Sequence, residues 1–170
     1  MLPESLAAFI AHHGITVRAV RADEAAATAE AAARLLGVEV ADIVKTMVLT
    51  DGRRTVAAIV PGDRRLDRAK VATAVGAGRL RFASAAEVLE QTGYPPGGVA
   101  PFGFTGPVTV VVEAALAGTP ERRVVAGGGR PELLLEVRVA DLIGAHAARV
   151  ASITQDEKTV VERRRSGECA

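Results

Sequence analysis

Residues 93–107 read GYPPGGVAPFGFTGP, and this stretch separates two parts of the chain that are rich in helix and strand patterns. Nine of its fifteen residues are glycine or proline, a composition that neither a helix nor a central strand tolerates. Proline fixes φ, whereas glycine permits positive φ and close backbone approach. The stretch therefore predicts a stiff, shaped loop that offers bare backbone groups to a ligand. It also holds three of the five aromatic residues, Tyr94, Phe102 and Phe104.

The part before the loop alternates helix and strand patterns. Apolar periodicity and capping residues predict helices at 4–13, 23–36, 67–75 and 84–93, and strands at 15–20, 43–50, 53–60 and 79–83. Asp23 is the expected cap of the second helix, and Ser84 with Glu87 matches a capping box. Asp51-Gly52 suits the positive φ of a tight turn, so it predicts a hairpin between two of these strands.

The part after the loop is dominated by strands. We expect strands at 108–112, 122–126, 132–139 and 149–153, with a short helix at 140–144. The continuous β-branched run at 108–112 predicts a strand buried on both faces. Strands in adjacent pairs with irregular helices predict an α+β fold, a single domain with a central mixed, twisted β-sheet surrounded by helices. Residues 1–153 form this domain, and residues 154–170 form a polar, Arg-rich C-terminal tail.

Composition limits the possible classes of protein. The 170 residues are 49% hydrophobic, enough for one core, and 21 cations balance 20 anions, so a strongly basic nucleic-acid-binding domain is not indicated. The single cysteine, Cys169, cannot form an internal disulfide, which fits the reducing cytoplasm. The N-terminus lacks the features of a signal peptide. Residues 91–112 are uncharged, but their prolines and glycines argue against a membrane span.

Lys45 is the most informative candidate site residue. It lies within an apolar strand, and a period of two places it on the same face as Ile43, Met47 and Leu49. One interpretation is a lysine that protects an edge strand from aggregation or extends its ammonium to solvent. The other is a cation at the mouth of an apolar pocket, where reduced solvation strengthens its attraction for phosphate or carboxylate. The pattern alone favours neither.

Other candidates carry weaker signals. The segment Gly127-Gly128-Gly129 fits a hairpin turn at least as well as a ligand contact, and Glu113 after an apolar strand is a candidate buried acid. The His12-His13 pair completes no recognised metal-ligand spacing, so no metal site is predicted. A basic cluster fits either a solvated surface or a phosphate contact. It comprises Arg64, Arg65, Arg68 and Lys70.

An ordered set of motifs resembles the YbaK and prolyl-tRNA-synthetase-associated domain family. The motifs are Ile43-Val44-Lys45-Thr46, Val60-Pro61-Gly62-Asp63-Arg64-Arg65-Leu66, Thr92-Gly93-Tyr94, Gly97-Gly98-Val99-Ala100-Pro101-Phe102-Gly103, and Gly127-Gly128-Gly129 before Asp141-Leu142. The likeness extends over about residues 23–153. It implies a free-standing aminoacyl-tRNA deacylase that binds the 3′ acceptor end of aminoacyl-tRNA, with prolyl-tRNA synthetase as a further partner. It implies no metal and no organic cofactor.

The resemblance also implies roles for individual residues. Lys45 would anchor the terminal adenosine or its phosphate, and the carbonyl group of Gly97 would orient the attacking water, with neighbouring N–H groups stabilising the oxyanion. Thr46 would help to hold the adenosine. The remaining substrate-binding residues implied by the resemblance are Gly98, Pro101, Ala126, Gly127 and Gly128.

One position departs from the family pattern. Cysteine-editing members carry serine immediately before the Gly-Gly pair, whereas this chain carries Ala126. The change removes a hydroxyl from the implied pocket, so an alanyl or other small aliphatic substrate on tRNA(Pro) is at least as plausible as a cysteinyl one. Two alternatives from other classes stay open: a non-catalytic module that binds tRNA and partners a synthetase, and a hydrolase of small esters.

Overall fold

A computed structural model describes residues 1–22 and 28–156. The helices are α1 (Glu4–His13), α2 (Ala29–Leu36), α3 (Arg68–Val75), α4 (Ala85–Thr92), α5 (Ala114–Ala117) and α6 (Val139–Gly144), with a 3-10 turn at Val40–Asp42. The strands are β1 (Arg18–Arg21), β2 (Val44–Thr50), β3 (Thr55–Pro61), β4 (Arg81–Phe82), β5 (Val108–Glu113), β6 (Arg123–Gly127), β7 (Leu133–Arg138) and β8 (Arg149–Ala151).

The strands form two sheets rather than one central sheet. The larger sheet has the order β4-β2-β3-β5-β8 and is mixed, because β5 runs parallel to both β3 and β8 while β2 runs antiparallel to its neighbours. The smaller sheet, β1-β7-β6, is antiparallel. A single parallel bridge between Ile43 and Val125 connects them. The α+β class and the mixed sheet are confirmed, and the second sheet is an addition.

Strand β5 lies at the centre of the packing. Val110 and Val112 face a core cluster that contains Phe102 and Leu135, while Val111 faces a second cluster with Val71 of α3. This confirms the prediction that the β-branched run is buried on both faces. Burial on both faces removes apolar surface of the sheet from water, and each Å² of buried apolar surface stabilises the fold by roughly 25 cal/mol.

Local sequence signals explain the ends of several helices. Ser84 and Glu87 form the predicted capping box of α4, with the Glu87 carboxylate accepting from the Ser84 N–H at 2.8 Å. Gly14 and Gly37 end α1 and α2 in the left-handed conformation. The described part of α2 begins after Thr28, whose hydroxyl caps the helix. The predicted cap Asp23 lies outside the described residues.

Apart from the second sheet, the differences from the sequence-based predictions are small and local. The β2–β3 hairpin has a four-residue connection, because the Asp51 side chain accepts from the N–H groups of Arg53 and Arg54 at 2.9 and 2.8 Å. Helix α5 was not predicted. The helices in the described ranges are all too short or too polar to cross a lipid bilayer. Cys169 and the Arg-rich part of the tail lie outside the described residues.

The end of the described chain packs on the domain. Thr154 pairs with Leu66, and the Gln155 N–H donates to the Arg65 carbonyl oxygen at 2.8 Å. Lys70 of α3 contacts both the Thr154 carbonyl oxygen and the Asp156 carboxylate, at 2.9 and 2.8 Å. These contacts attach residues 154–156 to the start of α3, while the division at residue 153 stays a prediction.

Candidate active site

The candidate site is a cavity of about 240 Å³ in the gap between the two sheets. Strand β4 pairs with β2 only at Leu49 and Thr50, so the first part of β2 has no strand of its own sheet on that side. Strand β6 of the smaller sheet, the start of α2 and the Gly/Pro loop surround this uncovered edge. The residues that line the cavity are Thr28, Ala29, Ala32, Ile43, Val44, Lys45, Thr46, Met47, Gly97, Val99, Ala126, Gly127 and Leu134.

Lys45 supplies the only charged group among the described residues that line this cavity. Its side chain is exposed, and its ammonium group makes no hydrogen bond or ion pair with any described residue. The backbone of Lys45 is fixed opposite Val60 in the β2–β3 ladder, so the strand fixes the point from which the Lys45 side chain extends. A cation without a partner among the described residues, beside a cavity whose other lining residues are uncharged, is suited to attract an anionic group of a ligand.

Thr46 contributes an unusual polar atom. Its hydroxyl oxygen is buried, and no described residue lies within hydrogen-bonding distance of it. Leaving a buried hydroxyl without a partner costs roughly 1 to 3 kcal/mol, so such groups are rare unless a ligand or water completes them. Because Thr46 also lines the cavity, its hydroxyl is placed to hydrogen-bond a molecule bound there.

Gly97 is placed in the cavity wall by a turn that its own sequence specifies. The Gly98 N–H donates to the Pro95 carbonyl oxygen at 3.0 Å, which closes a four-residue turn. Pro96 occupies the second position, and Gly97 has φ +83° at the third. This is the pattern of a type II turn, in which proline fixes the first corner and glycine accepts the positive φ of the next. The sequence Pro-Pro-Gly-Gly therefore determines the backbone direction at Gly97.

Two backbone N–H groups, one in this turn and one directly after it, have no hydrogen-bond partner among the described residues. Gly97 and Val99 line the cavity, and neither N–H group donates a hydrogen bond to a described residue. The Gly98 N–H, by contrast, is used by the turn itself. Of the backbone donors near Gly97, those of Gly97 and Val99 are thus the two that could meet a developing negative charge.

Two other glycines allow the loop to pack against the β6–β7 hairpin. A Cβ on Gly127 would collide with the Val99 carbonyl oxygen, and one on Gly98 would lie 2.6 Å from the Arg130 carbonyl carbon. Gly128 is equally restricted, since a Cβ there would lie 2.7 Å from the Leu133 side chain. The hairpin interpretation of 127–129 is confirmed, and its glycines allow the loop and hairpin to meet with no side chain between them.

Tyr94 connects the two ends of the Gly/Pro loop. Its ring is fully buried, and its hydroxyl donates to the carbonyl oxygens of Phe102 and Gly103 at 2.6 and 3.1 Å. The Tyr94 N–H in turn donates to the Thr92 hydroxyl at 3.1 Å, and the Gly106 N–H donates to the Gln91 carbonyl oxygen at 2.9 Å. These bonds hold the loop in one shape, as the composition of the stretch predicts.

An aromatic cluster supports the loop at Pro101. The imidazole of His146 contacts the Pro101 carbonyl oxygen at 3.1 Å and stacks with Phe9 and Phe104, at centroid distances of 4.9 and 5.5 Å. Burial lowers the pKa of His146 below its ordinary value, although the bond to Pro101 opposes this shift. Electrostatic repulsion from His13 also lowers the pKa of His146.

The lowered pKa of His146 predicts that acid destabilises the protein. The unfolded chain binds a proton at His146 more readily than the folded chain does. His146 therefore contributes its full stability above its ordinary pKa of about 6.5. This contribution is lost as the pH falls through the lowered pKa of His146 in the folded chain. Urea unfolding at several pH values should show the free energy of unfolding decreasing below about pH 6.5. In His146→Gln, this decrease should be smaller than in the wild type; an equal decrease would contradict the assignment.

The structure brings five of the eight predicted site residues to one cavity. Lys45, Thr46, Gly97, Ala126 and Gly127 line it. Gly98, Pro101 and Gly128 do not line it, because they pack against the hairpin, the His146 ring and Leu133 respectively. Contact of these three residues with a substrate stays a prediction. Ala29 and Ala32 of α2 also line the cavity, and no motif in the sequence indicated them.

Two further candidates have structural explanations. The carboxylate of Glu113, which is 3% exposed, accepts from the Ile153 N–H at 2.8 Å and from the Ala115 N–H at 3.3 Å. It thereby caps α5 and secures the segment after β8, so Glu113 is a buried acid, as predicted, and it does not line the candidate site. His12 and His13 lie side by side on α1, and residues 1–22 and 28–156 contain no group of three potential metal ligands.

The sequence and the structure were then compared with known proteins. The aminoacyl-tRNA editing domain family matches residues 23–145, well over half of the chain. The chain belongs to this family. A crystal structure of a candidate trans-editing enzyme for prolyl-tRNA synthetase matches with a TM-score of 0.81 and 32% identity, covering 92% of this chain and 100% of the other.

Two curated relatives match parts of the editing domain. The proline–tRNA ligase of Maridesulfovibrio salexigens is 40% identical over 90 residues, which are 53% of this chain and 14% of the ligase. The protein YwhH of Bacillus subtilis is 34% identical over 95 residues, which are 55% of this chain and 60% of YwhH. The matched region thus spans a small part of the ligase and somewhat more than half of YwhH.

Proposed function

We propose that this editing domain hydrolyses the ester bond of misacylated tRNA in trans, with tRNA(Pro) carrying a small amino acid as the substrate. The observation that carries the proposal is the placement of Lys45 and Gly97 on one small cavity, although 52 positions separate them in the sequence. Family membership supports the same reaction class.

The reaction requires no nucleophile from the protein. A water molecule attacks the carbonyl carbon of the ester, the carbon–oxygen bond to the ribose breaks, and the leaving oxygen takes a proton. The products are the free amino acid and tRNA with its terminal hydroxyl restored. The Gly97 carbonyl oxygen accepts a hydrogen bond from the attacking water and so orients it. The described lining residues include no Ser, Cys, His, Asp or Glu, which agrees with attack by water.

Two groups of the cavity stabilise the bound ester and its transition state. The Lys45 ammonium group holds the terminal adenosine or its phosphate, and this positioning reduces the entropic part of the barrier. The N–H groups of Gly97 and Val99 donate to the oxygen that becomes negative during attack. Preorganised donors of this kind each contribute roughly 3 to 4 kcal/mol in acyl transfer.

The cavity wall favours a small acyl group. Ala29, Ala32, Ala126 and Gly127 present at most one methyl group each, and Ala126 provides no hydroxyl to a cysteinyl thiol. Selection between apolar substrates that differ by one methylene is limited to roughly 1 to 3 kcal/mol. We therefore propose alanine as the preferred amino acid, with partial activity toward others of similar size.

A deacylation panel tests this proposal against its alternatives. Purified protein is incubated with Ala-, Cys- and Ser-tRNA(Pro), with Pro-tRNA(Pro) as the correctly charged control and with alanine ethyl ester as a small substrate. Release of alanine from tRNA at the highest rate supports the proposal. Tight binding of aminoacyl-tRNA without turnover would instead indicate a binding module, and cleavage of the ethyl ester alone would indicate a small-ester hydrolase.

Thr46→Val provides a test of the buried hydroxyl. Valine has nearly the same shape but no polar atom, so the variant should be as stable as the wild type or more stable by about 1 kcal/mol. The same change should raise KM for Ala-tRNA(Pro) by about tenfold, because a hydrogen bond to the substrate is lost. Thermal unfolding and steady-state kinetics measure the two effects, and Thr109→Val on β5 is a matched control. A destabilised variant with unchanged KM would contradict this role.

A further inference from the structure

Two further cavities lie next to the candidate active site and share lining residues in sequence. Lys45 and Met47 line both the site cavity and a second cavity of about 300 Å³. Leu66 and Gln155 line both this second cavity and a third of about 530 Å³ beside the start of α3. We call these three adjoining cavities the acceptor groove. Its two outer cavities, of about 300 and 530 Å³, lie beyond the cavity beside Gly97 and are available to another portion of the substrate.

The outer part of the acceptor groove carries an exposed aromatic ring. All five aromatic residues lie in the described ranges, and Phe82 is the only one of them that is exposed, at 47%. It lines the second cavity together with Lys45. Phe82 lies on the edge strand β4, where it pairs with Leu49 of β2, so its backbone position is fixed by the sheet. An exposed ring held on a sheet offers a face on which a nucleobase can stack.

Positive charge follows the same path. Arg64 and Arg65 line the second cavity, while Arg68 and Arg79 line the third. The Arg68 guanidinium lies 5.6 Å from the centroid of the Phe82 ring. The acidic lining residues are engaged: Asp67 caps α3, and Asp156 pairs with Lys70. Arginines alternating with an exposed aromatic ring are typical of grooves that bind single-stranded nucleic acid.

We infer that the outer acceptor groove binds the unpaired nucleotides that precede the terminal adenosine, with one base stacked on Phe82 and a phosphate near Arg65. This inference rests on the proposed function, because it assumes that the ester lies in the cavity beside Gly97. The RNA strand enters past α3 and β4 and places its 3′ end at Lys45. Nearly balanced net charge is compatible with this binding, because the cations needed are local to one groove.

Binding of unacylated RNA tests the inference separately from hydrolysis. The probe is a fluorescein-labelled RNA hairpin with a single-stranded CCA 3′ end, measured by fluorescence anisotropy at several salt concentrations. Phe82→Ala should weaken binding about tenfold, since one stacked base is lost, while Phe82→Trp should restore it. Arg65→Ala should weaken binding and reduce the dependence of log affinity on log salt by about 0.7, the value for one phosphate contact.

Matched controls distinguish the groove from general surface effects. Leu89→Ala removes another exposed apolar side chain, and Arg21→Ala removes a cation on the smaller sheet; both should bind the hairpin as the wild type does. In deacylation, Phe82→Ala should raise KM about tenfold and leave kcat nearly unchanged, because the site cavity is intact.

The outcomes separate the two proposals. Three results would contradict the inference that the acceptor groove binds RNA. They are equal binding of the CCA hairpin by Phe82→Ala and the wild type, equal binding by the wild type of a hairpin that lacks the CCA end, and no binding of the CCA hairpin by the wild type. A different result would separate the two claims. If Phe82→Ala loses RNA binding and the wild type hydrolyses no aminoacyl-tRNA, then the inference about the acceptor groove stands and the proposed activity is rejected.

Discussion

Replacing Lys45 with alanine is expected to lower kcat/KM for Ala-tRNA(Pro) hydrolysis by about 100- to 1000-fold, while the protein stays folded. Lys45 is the only charged group of the described cavity lining, and it makes no hydrogen bond or ion pair with a described residue. Its removal therefore takes away the group that we propose attracts the adenosine phosphate, without breaking a hydrogen bond or ion pair within the described part of the chain. Single-turnover deacylation and thermal unfolding measure the two quantities.

Two variants complete the Lys45 experiment. Lys45→Arg keeps the positive charge but changes its shape, so it should recover part of the activity. Arg21→Ala removes a cation from the smaller sheet and should leave the rate unchanged. A Lys45→Ala variant that hydrolyses Ala-tRNA(Pro) at the wild-type rate would exclude this residue from the reaction. In that case the edge-strand interpretation of Lys45 would be the better one.

Gly127→Ala is expected to have the largest effect on the fold around the site. The added methyl group would collide with the Val99 carbonyl oxygen, so either the hairpin or the Gly/Pro loop must move. Because backbone atoms cannot rotate away as a side chain can, we expect a loss of about 2 to 3 kcal/mol of stability. Hydrolysis should fall as well, since movement of the loop displaces Gly97. Urea unfolding and deacylation of Ala-tRNA(Pro) measure the two effects.

Two other glycines serve as controls for Gly127→Ala. Gly118 has φ −64°, and its added Cβ would approach only the Ala115 carbonyl oxygen at 3.9 Å, so Gly118→Ala should preserve stability and activity. Gly97 has open space at its Cβ but φ +83°, so Gly97→Ala should cost about 1 kcal/mol through backbone strain and reduce hydrolysis more than stability. Equal stability of Gly127→Ala and wild type would show that the two segments adjust without cost.

Much of the local structure could be predicted because its causes lie within a few residues. The turn at Pro95-Pro96-Gly97-Gly98, the capping box of Ser84 and Glu87, and the glycine ends of α1 and α2 each depend on bonds between neighbours in the chain. The buried β5 was predictable for a related reason, since its run of β-branched residues fits a strand covered on both faces.

Other features depend on contacts between distant segments. The division into two sheets was not predicted, because it depends on β1 pairing with β7, more than 100 positions later. Glu113 was predicted to be a buried acid, but its partners, the N–H groups of Ile153 and Ala115, could be identified only in the structure. The close packing of Gly98 against Arg130 and of Gly128 against Leu133, which leaves no room for a side chain, could likewise be seen only in the structure.

The sequence by itself determined the class of fold, the shape of the Gly/Pro loop and the family resemblance, because turn chemistry, capping and hydrophobic periodicity act over short distances. Only the tertiary structure decided that Lys45 and Gly97 share a cavity, that the Thr46 hydroxyl is buried without a partner among the described residues, and that the exposed Phe82 shares a neighbouring cavity with Lys45. The physical reason is that a cavity is formed by segments whose meeting depends on the packing of the whole domain. No local pattern encodes which side chains will line the space that remains.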